Sequence, residues 1–84
     1  MSVVSSSLLR LNVVADAEPG ALARVVERFH NLNLLPRRVL AELGSNQVLR
    51  VQVDVFGVSE EQLALITHKI RESPSVRDAY WHRL

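Results

Sequence analysis

Asp16-Ala17-Glu18-Pro19-Gly20-Ala21-Leu22 is the stretch that decides the fold, because a strand pattern changes there into a helix pattern. Before it, residues 8–15 alternate apolar and polar side chains, as a strand with one buried face does. From Gly20 onward, the apolar residues recur at helical spacing as Leu22, Val25, Val26, Phe29 and Leu32. The unpaired N–H groups of a first helical turn favour a carboxylate or phosphate, so we expect the functional site at this junction.

The segment after this helix predicts two strands. We expect the helix to end at Asn33, because asparagine readily adopts the left-handed conformation that closes a helix. Residues 34–43 predict a second strand, and Pro36 places it at a sheet edge, since proline cannot donate to a central ladder. A turn at Gly44-Ser45-Asn46 leads into residues 47–56, whose regular alternation predicts a central third strand.

The last part of the chain predicts a second helix and a fourth strand. Ser59-Glu60-Glu61-Gln62 is a capping box typical of a helix start, and Ser73-Pro74 predicts the helix end. The expected buried stripe of this helix is Leu63, Ile66 and Ile70. Residues 76–83 form the predicted fourth strand, with Ala79 and Trp81 directed inward.

This order of elements predicts an α+β fold, the ferredoxin-like βαββαβ sandwich. Right-handed crossovers place the first and third strands centrally, so the four-stranded antiparallel sheet has the order 4-1-3-2, with both helices on one face. We interpret residues 1–7 as a flexible lead-in and residues 8–84 as a single domain. The face away from the helices is expected to be mostly polar, with Arg10, Asn12, Arg38, Arg50, Gln52 and Asp54, interrupted by Leu40 and Tyr80.

Composition narrows the class of protein. Ten basic and nine acidic residues give a formal charge of +1, and no basic tract indicates nucleic-acid or membrane binding. No apolar run approaches the roughly 18 residues that span a bilayer, so we expect a soluble, cytoplasmic protein. A domain this small buries only about two-thirds of its unfolded surface. With 48% hydrophobic residues and no cysteine, a homo-oligomer is expected to supply further burial.

No catalytic or metal-binding constellation is present in the sequence. His30, His68 and His82 are far apart and lack ligand spacing. An RNA-recognition module of this topology would carry aromatic residues on its central strands, and a metal carrier would carry a Cys-x-x-Cys pair. An acylphosphatase-like enzyme would need a phosphate-binding loop where this chain has Asp16 and Glu18. We therefore expect no enzymatic activity, no cofactor and no metal.

The junction also carries a family resemblance. Glu18-Pro19-Gly20-Ala21-Leu22-Ala23-Arg24-Val25 resembles the Pro-Gly-x-Leu turn of ACT domains, the amino-acid-sensing modules of metabolic regulators, and the likeness extends over the whole chain. Residues 20–26 and Val76-Arg77-Asp78-Ala79 are similar to the small regulatory subunit of acetolactate synthase. That resemblance implies a non-catalytic homodimer in which the first helix and second strand pack side by side. It also implies a catalytic synthase subunit as partner.

The resemblance further implies a branched-chain amino acid such as valine as effector. The residues it assigns to the effector site are Asp16, Glu18, Gly20, Ala21, Leu22 and Leu35. Two positions depart from the family pattern: Ala17 replaces an Asp or Asn, and Leu35-Pro36 replaces an Asn-Ile pair. The alternative that the sequence leaves open is a stand-alone dimeric ACT-type sensor or assembly module, unattached to acetolactate synthase.

Overall fold

The computed structural model describes residues 7–84, so residues 1–6 of the expected lead-in lie outside the described part of the chain. Its elements follow the predicted order. They are β1 (Leu9–Asp16), α1 (Pro19–Asn31), β2 (Arg38–Leu43), β3 (Val48–Val55), α2 (Glu60–Arg71) and β4 (Val76–Arg83). A short 3₁₀ turn, Ser45–Gln47, joins β2 to β3.

The four strands form one antiparallel sheet in the order β2-β3-β1-β4, which confirms the predicted ferredoxin-like topology. In the middle of the sheet, Val13 of β1 lies between Val51 of β3 and Ala79 of β4. These three side chains are buried, as are Phe29 of α1 and Leu63 of α2. Burial of such a side chain stabilises the fold by about 2 kcal/mol. The core therefore lies between the central strands and the two helices.

The predicted end of α1 is confirmed as a hydrogen-bonded closing motif. Asn33 has a φ of 58°, and its N–H donates to the carbonyl of His30 at 2.9 Å. The N–H of Leu34 donates to the carbonyl of Phe29, also at 2.9 Å. This pair of bonds is the Schellman motif, in which a left-handed residue turns the chain back and satisfies the last helical carbonyls.

The capping box of α2 is also confirmed. The N–H of Gln62 donates to Ser59 Oγ at 3.0 Å, and the N–H of Ser59 donates to Gln62 Oε1 at 3.1 Å. The predicted stripe of this helix, Leu63, Ile66 and Ile70, is buried. Local sequence signals therefore fix both the start and the orientation of α2.

The second strand is shorter than the sequence predicts. It begins at Arg38 instead of residue 34, because Leu34 completes the closing motif of α1 and Pro36 has no N–H to donate. The N–H of Arg37 makes the first bond to β3, donating to the carbonyl of Asp54 at 2.7 Å. Leu35 consequently lies outside the sheet and is 88% exposed. The predicted edge position of β2 is correct.

The buried face of α1 also differs from the predicted one. Its fully buried residues are Ala21, Val25 and Phe29, which lie four positions apart on one row of the helix. Leu22 is only partly buried, and Leu32 is 49% exposed. The row of Ala21, Val25 and Phe29 packs toward the sheet. Leu22 and Val26 each follow a residue of that row, so they lie about 100° around the helix and are only partly buried.

Two residues on the polar face are buried, contrary to the exposure expected there. Asp54, only 3% exposed, accepts hydrogen bonds from Arg10 Nε at 2.6 Å and Arg10 Nη2 at 3.0 Å. These bonds hold the pKa of the Asp54 carboxyl below its ordinary value. Asn12 lies beside His82, with 3.1 Å between Nδ2 and Nδ1. Side chains from neighbouring strands therefore cover this part of the face.

Candidate functional site

The turn between β1 and α1 is held on both sides by neighbouring turns. The N–H of Asp16 donates to the carbonyl of Ser75, in the α2–β4 connection, at 2.8 Å. The N–H of Ala17 donates to the carbonyl of Gln47, in the β2–β3 connection, at 3.0 Å. Three connections thus meet at one end of the sheet, and the predicted effector turn lies between the other two.

Each acidic side chain of this turn is paired with an arginine. Arg77 Nε donates to Asp16 Oδ1 at 2.6 Å, and Arg24 Nη1 donates to Glu18 Oε1, also at 2.6 Å. Both pairs are about half exposed, so each contributes less than about 1 kcal/mol to stability. Their main effect is to hold each carboxylate against an arginine, and both acidic residues line the same cleft.

The start of α1 leaves its capping position without a side-chain hydrogen bond. Glu18 is the N-cap residue, but its carboxylate contacts Arg24 and makes no side-chain cap bond. Pro19 is the first helical residue, as predicted. Gly20 does not have a left-handed backbone, and a Cβ added there would lie 3.1 Å from Arg24 Nη2. The guanidinium of Arg24 therefore occupies the space beside Gly20 that sequence reasoning assigned to a ligand.

Three clefts surround the turn and divide the predicted effector residues between them. The apolar cleft, of about 360 Å³, is lined by Ala17, Glu18, Pro19, Leu22, Leu43 and Leu49. The polar cleft, also of about 360 Å³, is lined by Asp16, Glu18, Arg24, Ser73, Pro74 and Ser75. Ala21 instead lines a third cleft between the two helices. Glu18 is the predicted residue shared by the apolar and polar clefts.

Leu35 is not brought to this turn within one chain. It precedes Arg38, which pairs with Asp54, and Asp54 pairs in turn with Arg10 near the start of β1. The effector turn follows the other end of β1, at Asp16. Along β1, Asp16 lies six residues beyond Arg10, a distance of about 20 Å. Leu35 could therefore join the site only from a second copy of the chain.

An uncovered apolar surface adjoins the apolar cleft. On the helix side of β2, Val39 and Leu43 are 42% and 72% exposed, whereas Val53, the β3 residue that pairs with Val39, is 0% exposed. Leu22, the α1 residue that lines the apolar cleft with Leu43, is only partly buried. We call this surface the β2 shelf, and its residues are Leu22, Val26, Val39, Ala41 and Leu43.

Sequence reasoning did not identify Leu43 or Leu49 as site residues. The available signal was their position: both flank the predicted β2–β3 turn, on the apolar side of their strands. The prediction that β2 is an edge strand does not show whether a helix covers its apolar side. In the structure the helices cover the central strands and leave the edge strand open.

Within residues 7–84, no group of three His, Asp or Glu side chains is placed to hold a metal ion. Neither helix in this part of the chain has the length and apolar character needed to cross a membrane.

The family assignment rests on a match that spans almost all of the sequence. Residues 4–84 match the family model of an ACT-like domain. The chain belongs to the ACT-like domain family. Domains of this family are small-molecule regulatory modules. The predicted ACT-like family and its regulatory class are therefore confirmed. A comparison with curated proteins gave no match.

Solved structures confirm the ACT fold. The C-terminal domain of MgtC from Mycobacterium tuberculosis has a TM-score of 0.78 at 14% identity, over 100% of this chain and 94% of that one. The ACT domain of GTP pyrophosphokinase from Chlorobium tepidum has a TM-score of 0.75 at 14% identity, over 96% and 100%. A homoserine dehydrogenase from Thiobacillus denitrificans has a TM-score of 0.73 at 18% identity, over 96% of this chain and 18% of the enzyme.

At these identities the likeness to solved structures concerns the fold alone. None of the three proteins is an acetolactate synthase subunit. The resemblance to the acetolactate synthase regulatory subunit therefore stays a prediction from the sequence.

Proposed function

We propose that this ACT-like domain is a regulatory module that dimerises through α1 and β2 and binds a small aliphatic amino acid in the apolar cleft. The observation that carries the proposal is the β2 shelf, an uncovered apolar surface that continues directly into that cleft through Leu22 and Leu43. Exposed apolar surface beside an unpaired strand edge favours association with a second chain.

Two-fold pairing of β2 edges would complete the cleft. Residues directly opposite each other in an antiparallel pair point to the same side of the sheet, so a two-fold axis at Ala41 would place Val39 of one chain opposite the partner subunit's Leu43. Leu35, three residues before Arg38, then lies beyond the partner subunit's Leu43 and close to its apolar cleft. This arrangement supports the sequence-based assignment of Leu35 to the effector site, contributed by the second copy.

The chemistry of the apolar cleft fits an α-amino acid with an aliphatic side chain. Leu22, Leu43 and Leu49 offer apolar contact for that side chain. The ligand carboxylate is favoured at the N-terminus of α1, where Glu18 makes no side-chain cap bond. Glu18 also lines the cleft, and its Oε2, the oxygen opposite the one that accepts from Arg24, is the proposed acceptor for an ammonium group, since Ala17 has no side-chain acceptor.

A more specific candidate is the regulatory subunit of acetolactate synthase, with a branched-chain amino acid as effector. Its support is the resemblance of residues 20–26 and of Val76-Arg77-Asp78-Ala79 to that subunit. Co-expression with a catalytic synthase subunit tests it directly. We expect a complex on sizing and a change in synthase activity. If neither appears, the stand-alone sensor is the correct function.

Calorimetry tests the effector site. We expect valine, leucine or isoleucine to give saturable heat with the dimeric protein, and Leu22→Ala to weaken that binding about fivefold, because it removes apolar contact in the cleft. Leu32→Ala is the matched control, since Leu32 is an exposed leucine at the C-cap of the same helix and does not line the apolar cleft. Absence of heat at millimolar ligand, or an equal loss in both variants, would contradict the proposed site.

A further inference from the structure

The third cleft, which we call the interhelical cleft, lies between α1 and α2 and has a volume of about 170 Å³. Its apolar floor includes Ala21, Val25 and Ile70, each less than 5% exposed. Arg28 from α1 and Lys69 from α2 line the same cleft. It lies on the other side of α1 from Leu22, so the proposed dimer and effector site leave it open.

The charges around the interhelical cleft do not balance. Its lining contains three cations, Arg24, Arg28 and Lys69. Arg24 is bound to Glu18, but among residues 7–84 no acidic group lies within ion-pair distance of Arg28 or Lys69. Glu27 is the acidic residue of the lining, so it, Arg28 and Lys69 together leave one net positive charge. A bound monoanion would neutralise this charge.

Polar donors lie at one end of the same cleft. Ser73 and Ser75, which follow α2, both contribute to the lining, and their Oγ atoms are 3.3 Å apart. Hydroxyl donors and two cations above an apolar floor suit a ligand with a charged head and an apolar body. The volume is well below the roughly 300–1,000 Å³ of sites for drug-sized ligands, so the ligand must be small.

We propose that the interhelical cleft binds a small aliphatic monocarboxylate, with its carboxylate between Arg28 and Lys69 and its hydrocarbon tail on the floor. A zwitterionic amino acid adds no net charge and would leave the imbalance in place. Inorganic phosphate would balance the charge but leave the apolar floor uncovered. The site is thus chemically distinct from the apolar cleft proposed for the effector.

The test is a titration of the isotope-labelled full-length chain by NMR with 3-methylbutanoate as the probe. We expect saturable shifts of the amide signals of Ala21, Lys69 and Ile70 at millimolar concentrations. The uncharged 3-methylbutanamide should bind about tenfold more weakly, because it lacks the charge that the cations recognise. Inorganic phosphate and leucine are titrated in parallel and should each bind more weakly than 3-methylbutanoate.

Matched variants locate the binding. Lys69→Met and Arg28→Met should each weaken 3-methylbutanoate binding about tenfold, since each removes one charge-assisted contact. Arg50→Met is the control, because Arg50 is also exposed but lies on β3, away from the interhelical cleft. Absence of saturable shifts, equal binding of the amide, tighter binding of phosphate or leucine, or an equal loss in Arg50→Met would each overturn the proposal. Valine binding at the apolar cleft is measured separately, so either site could fail alone.

Discussion

Replacement of Leu43 by lysine is the sharpest test of the dimer. Leu43 is 72% exposed on the β2 shelf, and the two-fold arrangement would cover it. Full burial of a leucine contributes about 2 kcal/mol, so covering the exposed fraction contributes about 1.5 kcal/mol. A two-fold interface contains the residue twice, which gives about 3 kcal/mol. Leu43→Lys should therefore raise the dimer dissociation constant at least about 100-fold.

Sedimentation velocity over a concentration series measures this constant. Leu65→Lys is the matched control, because Leu65 is also an exposed leucine, at 57%, but it lies on α2 away from the β2 shelf. Thermal melts followed by circular dichroism check that both variants remain folded. The reasoning is refuted if wild-type protein is monomeric at high micromolar concentration, or if Leu65→Lys dissociates the dimer as strongly as Leu43→Lys.

Three further predictions concern stability. The ion pair with Arg10 lowers the pKa of folded Asp54 below its ordinary 3.8, so its stabilisation is present above about pH 4 and is lost as pH falls through the folded-state pKa. In urea unfolding at neutral pH, Asp54→Asn should have a lower midpoint than wild type, and the two midpoints should converge in acid. A difference between the midpoints that does not change with pH would contradict this. Gly57→Ala should cost about 1 kcal/mol, because Gly57 has a φ of 72°. Gly20→Ala should gain about 0.5 kcal/mol, because Gly20 is helical and the atoms nearest an added Cβ belong to the end of the half-exposed Arg24 side chain, which can shift. A loss of stability in Gly20→Ala as large as that in Gly57→Ala would refute this difference between the two glycines.

The sequence predicted the elements and their order because those depend on nearby residues. Asn33 closes α1 through its own left-handed backbone, and Ser59 and Gln62 cap α2 within four residues. Pro36 predicted an edge strand because a missing N–H is a property of the residue itself. With two helices and four strands in that order, the handedness of the connections then restricted the sheet to the observed topology.

The extent of the site was decided by tertiary structure. Periodicity shows which face of a strand is apolar, but it does not show whether a helix reaches over that face. Leu43 and Val51 carry the same pattern on neighbouring strands, and yet one is exposed and the other buried. Asp54 has the alternation of an exposed residue but is covered by Arg10, 44 positions away. The register between distant strands and the area that two helices cover set these outcomes, and neither is encoded in any short stretch of the chain.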